Sequence, residues 1–169
     1  MDTAQIQIRR LRPADAALYR DIRLDGLRCN PEAFGSTFDA ENAQPLSWFA
    51  DRLDKSEVFG AFDGSELVGV AGVLIREGRK EAHKSLLRGM YVRPGARMAG
   101  VGRRLVEVAI DFARQRVELI QLSVVRDNEP ARRLYARFGF LEYGIEKNAL
   151  KQDGRYYDEI LMAKDLKPD

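Results

Sequence analysis

Residues 86–105 read LLRGMYVRPGARMAGVGRRL, and three kinds of local structure follow one another within them. Leu86, Leu87, Met90, Tyr91 and Val92 predict an apolar strand that stops at Arg93-Pro94-Gly95. A loop carrying Arg97, Gly100 and Gly102 follows, and an amphipathic helix begins. The first N–H groups of a helix have no intrahelical acceptor and carry the positive end of its dipole, so such a junction cradles anions. Glycines let those groups approach a phosphate with no Cβ in the way. From Ala82 to Val106 there is no Asp or Glu, whereas Lys84, Arg88, Arg93, Arg97, Arg103 and Arg104 are all present. In a chain of net charge +2, this concentrates positive potential beside a loop suited to phosphate.

Working outward, Ile6 to Arg9 alternates as a short strand, and Arg12-Pro13-Ala14-Asp15 starts a helix whose stripe includes Ala14, Ala17, Leu18, Ile22, Leu24 and Leu27. Residues 30–42 read as a long, partly ordered connection, and a short helix with Trp48 and Phe49 follows. Val58 to Phe62 and Leu67 to Ile75 flank Asp63-Gly64, a hairpin signal. Val101, Leu105, Val108, Ala109 and Phe112 share one face of the helix after the loop. Leu119 to Val125 is a buried-strand run, expected parallel to the central strand because a helix separates them. A helix from about Asp127 to Phe138 and two closing strands complete a mixed sheet with helices on both faces, expected as a single domain over 1–169.

Spacing excludes two common phosphate loops. Gly95 and Gly100 are placed as in a Walker A loop, but Val101-Gly102 stands where Lys-Ser/Thr is needed. Gly100-Val101-Gly102 opens like a dinucleotide fingerprint, yet Leu105 replaces the third glycine. What remains is Arg97-x-x-Gly100-x-Gly102, followed by Val124-x-x-x-Asn128-x-x-Ala131-x-x-Leu134-Tyr135-x-x-x-Gly139-Phe140. In that order the two patterns resemble the GNAT superfamily of acyl-CoA-dependent N-acetyltransferases, and together they span Leu86 to Phe140. The resemblance implies a mostly antiparallel sheet of about seven strands, splayed between two central parallel strands. It implies acetyl-CoA as acyl donor, its pantetheine arm lying in the splay.

By the same resemblance the cofactor site comprises the strand segment Met90, Tyr91 and Val92 and the loop residues Arg97, Met98, Ala99, Gly100, Val101, Gly102 and Arg103. Main-chain groups of Met90 and Val92 would pair with the pantetheine arm, and N–H groups along the loop would hold the pyrophosphate. Asn128, Arg132 and Tyr135 would complete the site, Tyr135 as the acid beside the thioester sulfur. A tyrosine of pKa ~10 stays protonated at neutral pH and can donate to a thiolate whose conjugate acid has pKa about 8.5. A free amine of pKa ~10 is only roughly a thousandth neutral at pH 7, so a base or a water chain is also needed. Glu32, Glu146, Asp158 and Glu159 are the candidates.

The acceptor is expected to be the primary amine of a small molecule: an amino acid, a polyamine or an amine-bearing antibiotic. A protein or peptide amine and a non-catalytic acyl-CoA sensor are the alternatives. Glu32, Phe34 and Tyr156 are candidate acceptor contacts. Cys29 is expected as a small buried filler, and with His83 it cannot furnish a zinc site of usual composition. A lone cysteine and no ~20-residue apolar run fit a cytoplasmic protein without a membrane segment. The small Lys and Arg excess does not suggest nucleic acid, and the resemblance implies a homodimer.

Overall fold

A computed structural model of the chain describes residues 5–167. Its strands are β1 (Ile6–Arg10), β2 (Glu57–Asp63), β3 (Glu66–Ile75), β4 (Lys84–Val92), β5 (Leu119–Val125), β6 (Leu141–Gln152) and β7 (Arg155–Asp165). The helices are α1 (Ala16–Cys29), α2 (Phe38–Asn42), α3 (Leu46–Lys55), α4 (Val101–Arg114) and α5 (Glu129–Arg137). The strands form one sheet in the order β1-β2-β3-β4-β5-β7-β6. Every neighbouring pair is antiparallel except β4 and β5, which are parallel because α4 carries the chain back across the sheet. This is the mixed, mostly antiparallel architecture expected from the sequence.

The parallel pair is short. Lys84 faces Leu119, Ser85 faces Ile120, Leu86 faces Gln121, and pairing then stops while β5 stays joined to β7 as far as Val125 opposite Glu159. The cause is visible in β4. Gly72 of β3 faces Arg88 and Val70 faces Tyr91, so Gly89 and Met90 together stand opposite Ala71. Gly89 has φ +61°, a conformation that costs a side-chain-bearing residue about 1–2 kcal/mol. The extra residue bends and twists β4 away from β5.

Helices cover the sheet on both faces, and each face has its own apolar core. Leu105, Val106 and Ala109 of α4 pack with Ala71, Leu87 and Ile120, joined by Tyr135 and Phe140 from the α5 region. On the other face Tyr19 and Ile22 of α1 meet Phe49 and Leu53 of α3 over Val70 and Tyr91. Burying a large apolar side chain contributes roughly 1.5–3 kcal/mol, so both layers hold the bent β4 in place. No helix among the described residues is long and apolar enough to cross a membrane.

Three expectations need correction. The buried residues of α1 are Ala16, Tyr19, Ile22, Arg23, Leu24, Gly26 and Leu27, whereas Ala14, Ala17 and Leu18 are exposed; a 3-10 turn at Pro13–Asp15 precedes the helix. The connection over 30–42 contains α2, capped by the Thr37 hydroxyl accepting from the Ala40 N–H at 3.2 Å. Cys29 is exposed at the end of α1, not buried.

Candidate active site

The loop before α4 is built as the sequence suggested. Pro94–Ala99 forms a 3-10 turn, Gly100 takes φ +70°, and α4 starts at Val101. No described backbone carbonyl receives the N–H groups of Gly100, Val101, Gly102 and Arg103. A Cβ on Gly102 would lie 3.3 Å from Met90 Cε, a tight approach that the end of the methionine would have to relieve, and 3.5 Å from Leu134 Cδ2, so α4 packs closely on β4 and α5 here. The exposed Arg103 side chain adds charge at this helix end, and Met98 is 98% exposed. Arg97 and Arg104 are turned elsewhere. Arg97 Nε donates to the Val92 carbonyl and its Nη2 to Asn30 Oδ1, both at 3.0 Å, while Arg104 reaches the Ile6 carbonyl.

Where β4 leaves β5, its backbone has a defined phase. Arg93 N–H donates to the Val68 carbonyl on the β3 side, so Tyr91 also faces β3 and the main-chain groups of Met90 and Val92 face the gap. The Tyr91 side chain points into the α1 layer, where its hydroxyl donates to Asp25 Oδ2 at 2.8 Å. Burial, with the Asp25 and Cys29 side chains, raises its pKa. On the α5 side Tyr135 is 8% exposed, its ring edge-on to Phe140. Its hydroxyl donates to Met90 Sδ at 3.4 Å. A thioether is a weak acceptor, so the phenol has no strong rival partner there. Burial pushes its pKa up to about 12, which keeps the proton on the oxygen. Asn128 caps α5, its Oδ1 accepting from the Ala131 N–H at 3.3 Å.

On the opposite face a cavity of about 390 Å³ opens over the splay, walled by Leu86 to Gly89 of β4, Ser123 of β5 and Glu159 of β7. Arg23, Glu41 and Arg52 close it on the helical side. Arg23 grips Glu41 through two hydrogen bonds, Nε to Oε2 at 2.9 Å and Nη2 to Oε1 at 2.7 Å, and Arg52 lies 3.8 Å from the same carboxylate. Burial opposes the charge on Glu41, but the Arg23 guanidinium outweighs it and holds the carboxyl below its ordinary pKa. Glu159 behaves oppositely. Burial raises its pKa, the Glu146 charge directly across from it on β6 adds to the rise, and a Ser123 hydrogen bond only partly opposes it.

Phe34 lines this cavity, under the Arg23 guanidinium at 5.0 Å. Glu32 and Tyr156 do not. Glu32 sits in the 3-10 turn Pro31–Ala33 just outside. Tyr156 is 55% exposed, stacked with Lys151 beside a separate hollow of about 230 Å³. Arg132 is bound to Glu142 at 2.7 Å and to the Arg126 carbonyl at 3.1 Å, so its side chain braces α5 against β6. Of the four candidate bases only Glu159 lines the cavity. Arg23, Glu41, Arg52 and Ser123 were not anticipated as its walls. Arg23 did carry a signal, since a charge flanked by Ile22 and Leu24 within a helical apolar stripe requires a buried partner.

A parted parallel pair, a glycine-bearing helix start and a charged cavity on one sheet fit the acyltransferase class that the two sequence motifs resemble. The family model described as the acetyltransferase (GNAT) family matches residues 20–140, and the chain belongs to that family. It is 32% identical over 145 residues to the N-alpha-acetyltransferase RimI of Mycobacterium tuberculosis, covering 85% of this chain and 88% of that one. Identity to the L-amino acid N-acetyltransferase of Escherichia coli is 26% over 159 residues, 91% and 96% of the two chains. The structure of yncA from Salmonella typhimurium, solved with its cofactor acetyl-CoA, superposes with TM-score 0.80 at 23% identity, covering 98% of this chain and 96% of that one.

Proposed function

We propose that the protein transfers the acetyl group of acetyl-CoA to the primary amine of a small molecule, with Glu159 as base and Tyr135 as acid. The residues fit this donor. Main-chain groups of Met90 and Val92 facing the gap would pair with the pantetheine amides, and the N–H groups of Gly100 to Arg103 would receive the pyrophosphate. The thioester supplies an activated acyl group. Glu159 takes a proton from the acceptor ammonium, leaving the nitrogen lone pair free to attack. A carboxylate with raised pKa is the better base for an ammonium, because the two pKa values lie closer together. As the C–N bond forms and the C–S bond breaks, the nitrogen loses its further proton to solvent, while Tyr135 gives its proton to the departing sulfur and regains one from solvent.

The observation that carries this reading is the position of the cavity. It lies over the split between β4 and β5, so an amine beside Glu159 faces whatever occupies that split. Its volume of about 390 Å³ is near the small end of ligand sites, which suits a small acceptor. A peptide amine is the second reading, favoured by the identity to an N-alpha-acetyltransferase. Release of free thiol from acetyl-CoA against small amines and short peptides tests the proposal. Turnover of a small amine supports it, and turnover of peptides alone overturns the choice of acceptor.

A further inference from the structure

The cavity is not balanced in charge. Three guanidiniums, from Arg23, Arg52 and Arg88, and two carboxylates, from Glu41 and Glu159, line it. Glu41 is shared by Arg23 and Arg52. Among the described residues Arg88 has no ion pair and no side-chain hydrogen bond, although carboxylates lie on neighbouring elements. Its charge is disfavoured by burial and by repulsion from Arg52, Arg23 and Arg76, with only the Tyr19 phenol favouring it. Arg88 lines this cavity, its side chain is exposed there, and no group of the described chain pairs with it, so its guanidinium is available to an anion that enters from outside.

Local construction keeps it there. Arg88 is the last residue of β4 before the Gly89 bulge, so the bend that opens the sheet also presents this side chain. Across the sheet Gly72 makes room, since a Cβ there would lie 3.1 Å from the Arg88 carbonyl and 3.7 Å from its Cγ. Glu159 lines the same cavity from β7. One cavity therefore holds a proton acceptor for an amine and an uncommitted guanidinium shaped to take a carboxylate by two parallel hydrogen bonds.

We infer that the acceptor is a free amino acid or a close analogue, its amine placed against Glu159 and its carboxylate held by Arg88. This rests on the proposed N-acetyl transfer to a small amine. A peptide N-terminus carries an amide where the free amino acid carries its carboxylate and leaves Arg88 unpaired. A diamine brings a second cation against three guanidiniums.

The test is thiol release from acetyl-CoA with the twenty L-amino acids, their α-carboxamides and putrescine. At least one free acid is expected to exceed its own amide by about 10- to 100-fold in kcat/KM, the range of one charge-assisted pairing. In Arg88→Gln that ratio should fall to within about 3-fold, mainly through a higher KM for the acid, and Arg88→Lys should retain part of it. Circular dichroism of both variants establishes that they are folded, and the lysine variant keeps the test decisive if the glutamine variant is not. Equal turnover of acids and amides, or a preference that survives Arg88→Gln, overturns the inference and leaves N-acetyl transfer standing. No thiol release with any amine overturns both.

Discussion

Tyr135 and Glu159 sit on opposite faces of the sheet, and each is tuned by burial alone or burial with a neighbour. Replacing Tyr135 by Phe removes the proposed proton donor but keeps the ring against Phe140, so kcat should fall ~10²-fold while calorimetric binding of acetyl-CoA changes little. Glu159 makes a double prediction. Its folded pKa lies above the ordinary 4.5, so the fold favours the protonated form and is penalised once pH rises through that raised value. Glu159→Gln should therefore unfold at the same or a higher temperature at pH 7, yet lose the acid limb of the pH–kcat/KM profile and most of its rate. A lower melting temperature with normal turnover would make Glu159 a structural residue.

At the scale of elements, α2 depends on one ion pair. Arg23 and Glu41 bury their side chains to 10% and 3% exposure, and removing one partner strands the other. Glu41→Ala should lower stability by about 3–5 kcal/mol in urea, whereas the combined Arg23→Met, Glu41→Leu change should recover much of the loss. Because the Glu41 pKa is depressed, its contribution is present above the ordinary value of 4.5 and is lost as pH falls below it through the folded value. Gly89→Ala should cost about 1–2 kcal/mol for its positive φ and should reshape the cavity through Arg88. Strands, the Asp63-Gly64 hairpin, α4 and α5 were legible because each is fixed by periodicity and local turn chemistry. The bend of β4 and the walls Arg23, Glu41 and Ser123 were not, since a bulge reflects pairing with β3 and the ion pair joins residues 18 apart on separate elements.

Across the whole molecule, two cores of different make-up clamp a sheet that is closed at the Lys84 end of its parallel pair and open beyond Leu86. A ligand spanning that opening bridges both halves and should stabilise the fold. Acetyl-CoA at a hundred times its Kd should add about 2.7 kcal/mol, a rise in melting temperature of roughly 5–11 °C for a domain of this size. The proposed donor site comes from the two motifs because it is largely main chain, and main-chain roles leave glycines and spacing behind. The cavity proposed for the acceptor was foreshadowed only by Phe34 and one of four acidic candidates, because it gathers single side chains from α1, α2, α3, β4, β5 and β7.

The most direct measurement is a crystal structure with coenzyme A bound. The account predicts the pyrophosphate on the N–H groups of Gly100 to Arg103, the pantetheine between β4 and β5, and the sulfur within hydrogen-bond reach of the Tyr135 hydroxyl. Coenzyme A bound outside the split, or a sulfur out of reach of that hydroxyl, would contradict it.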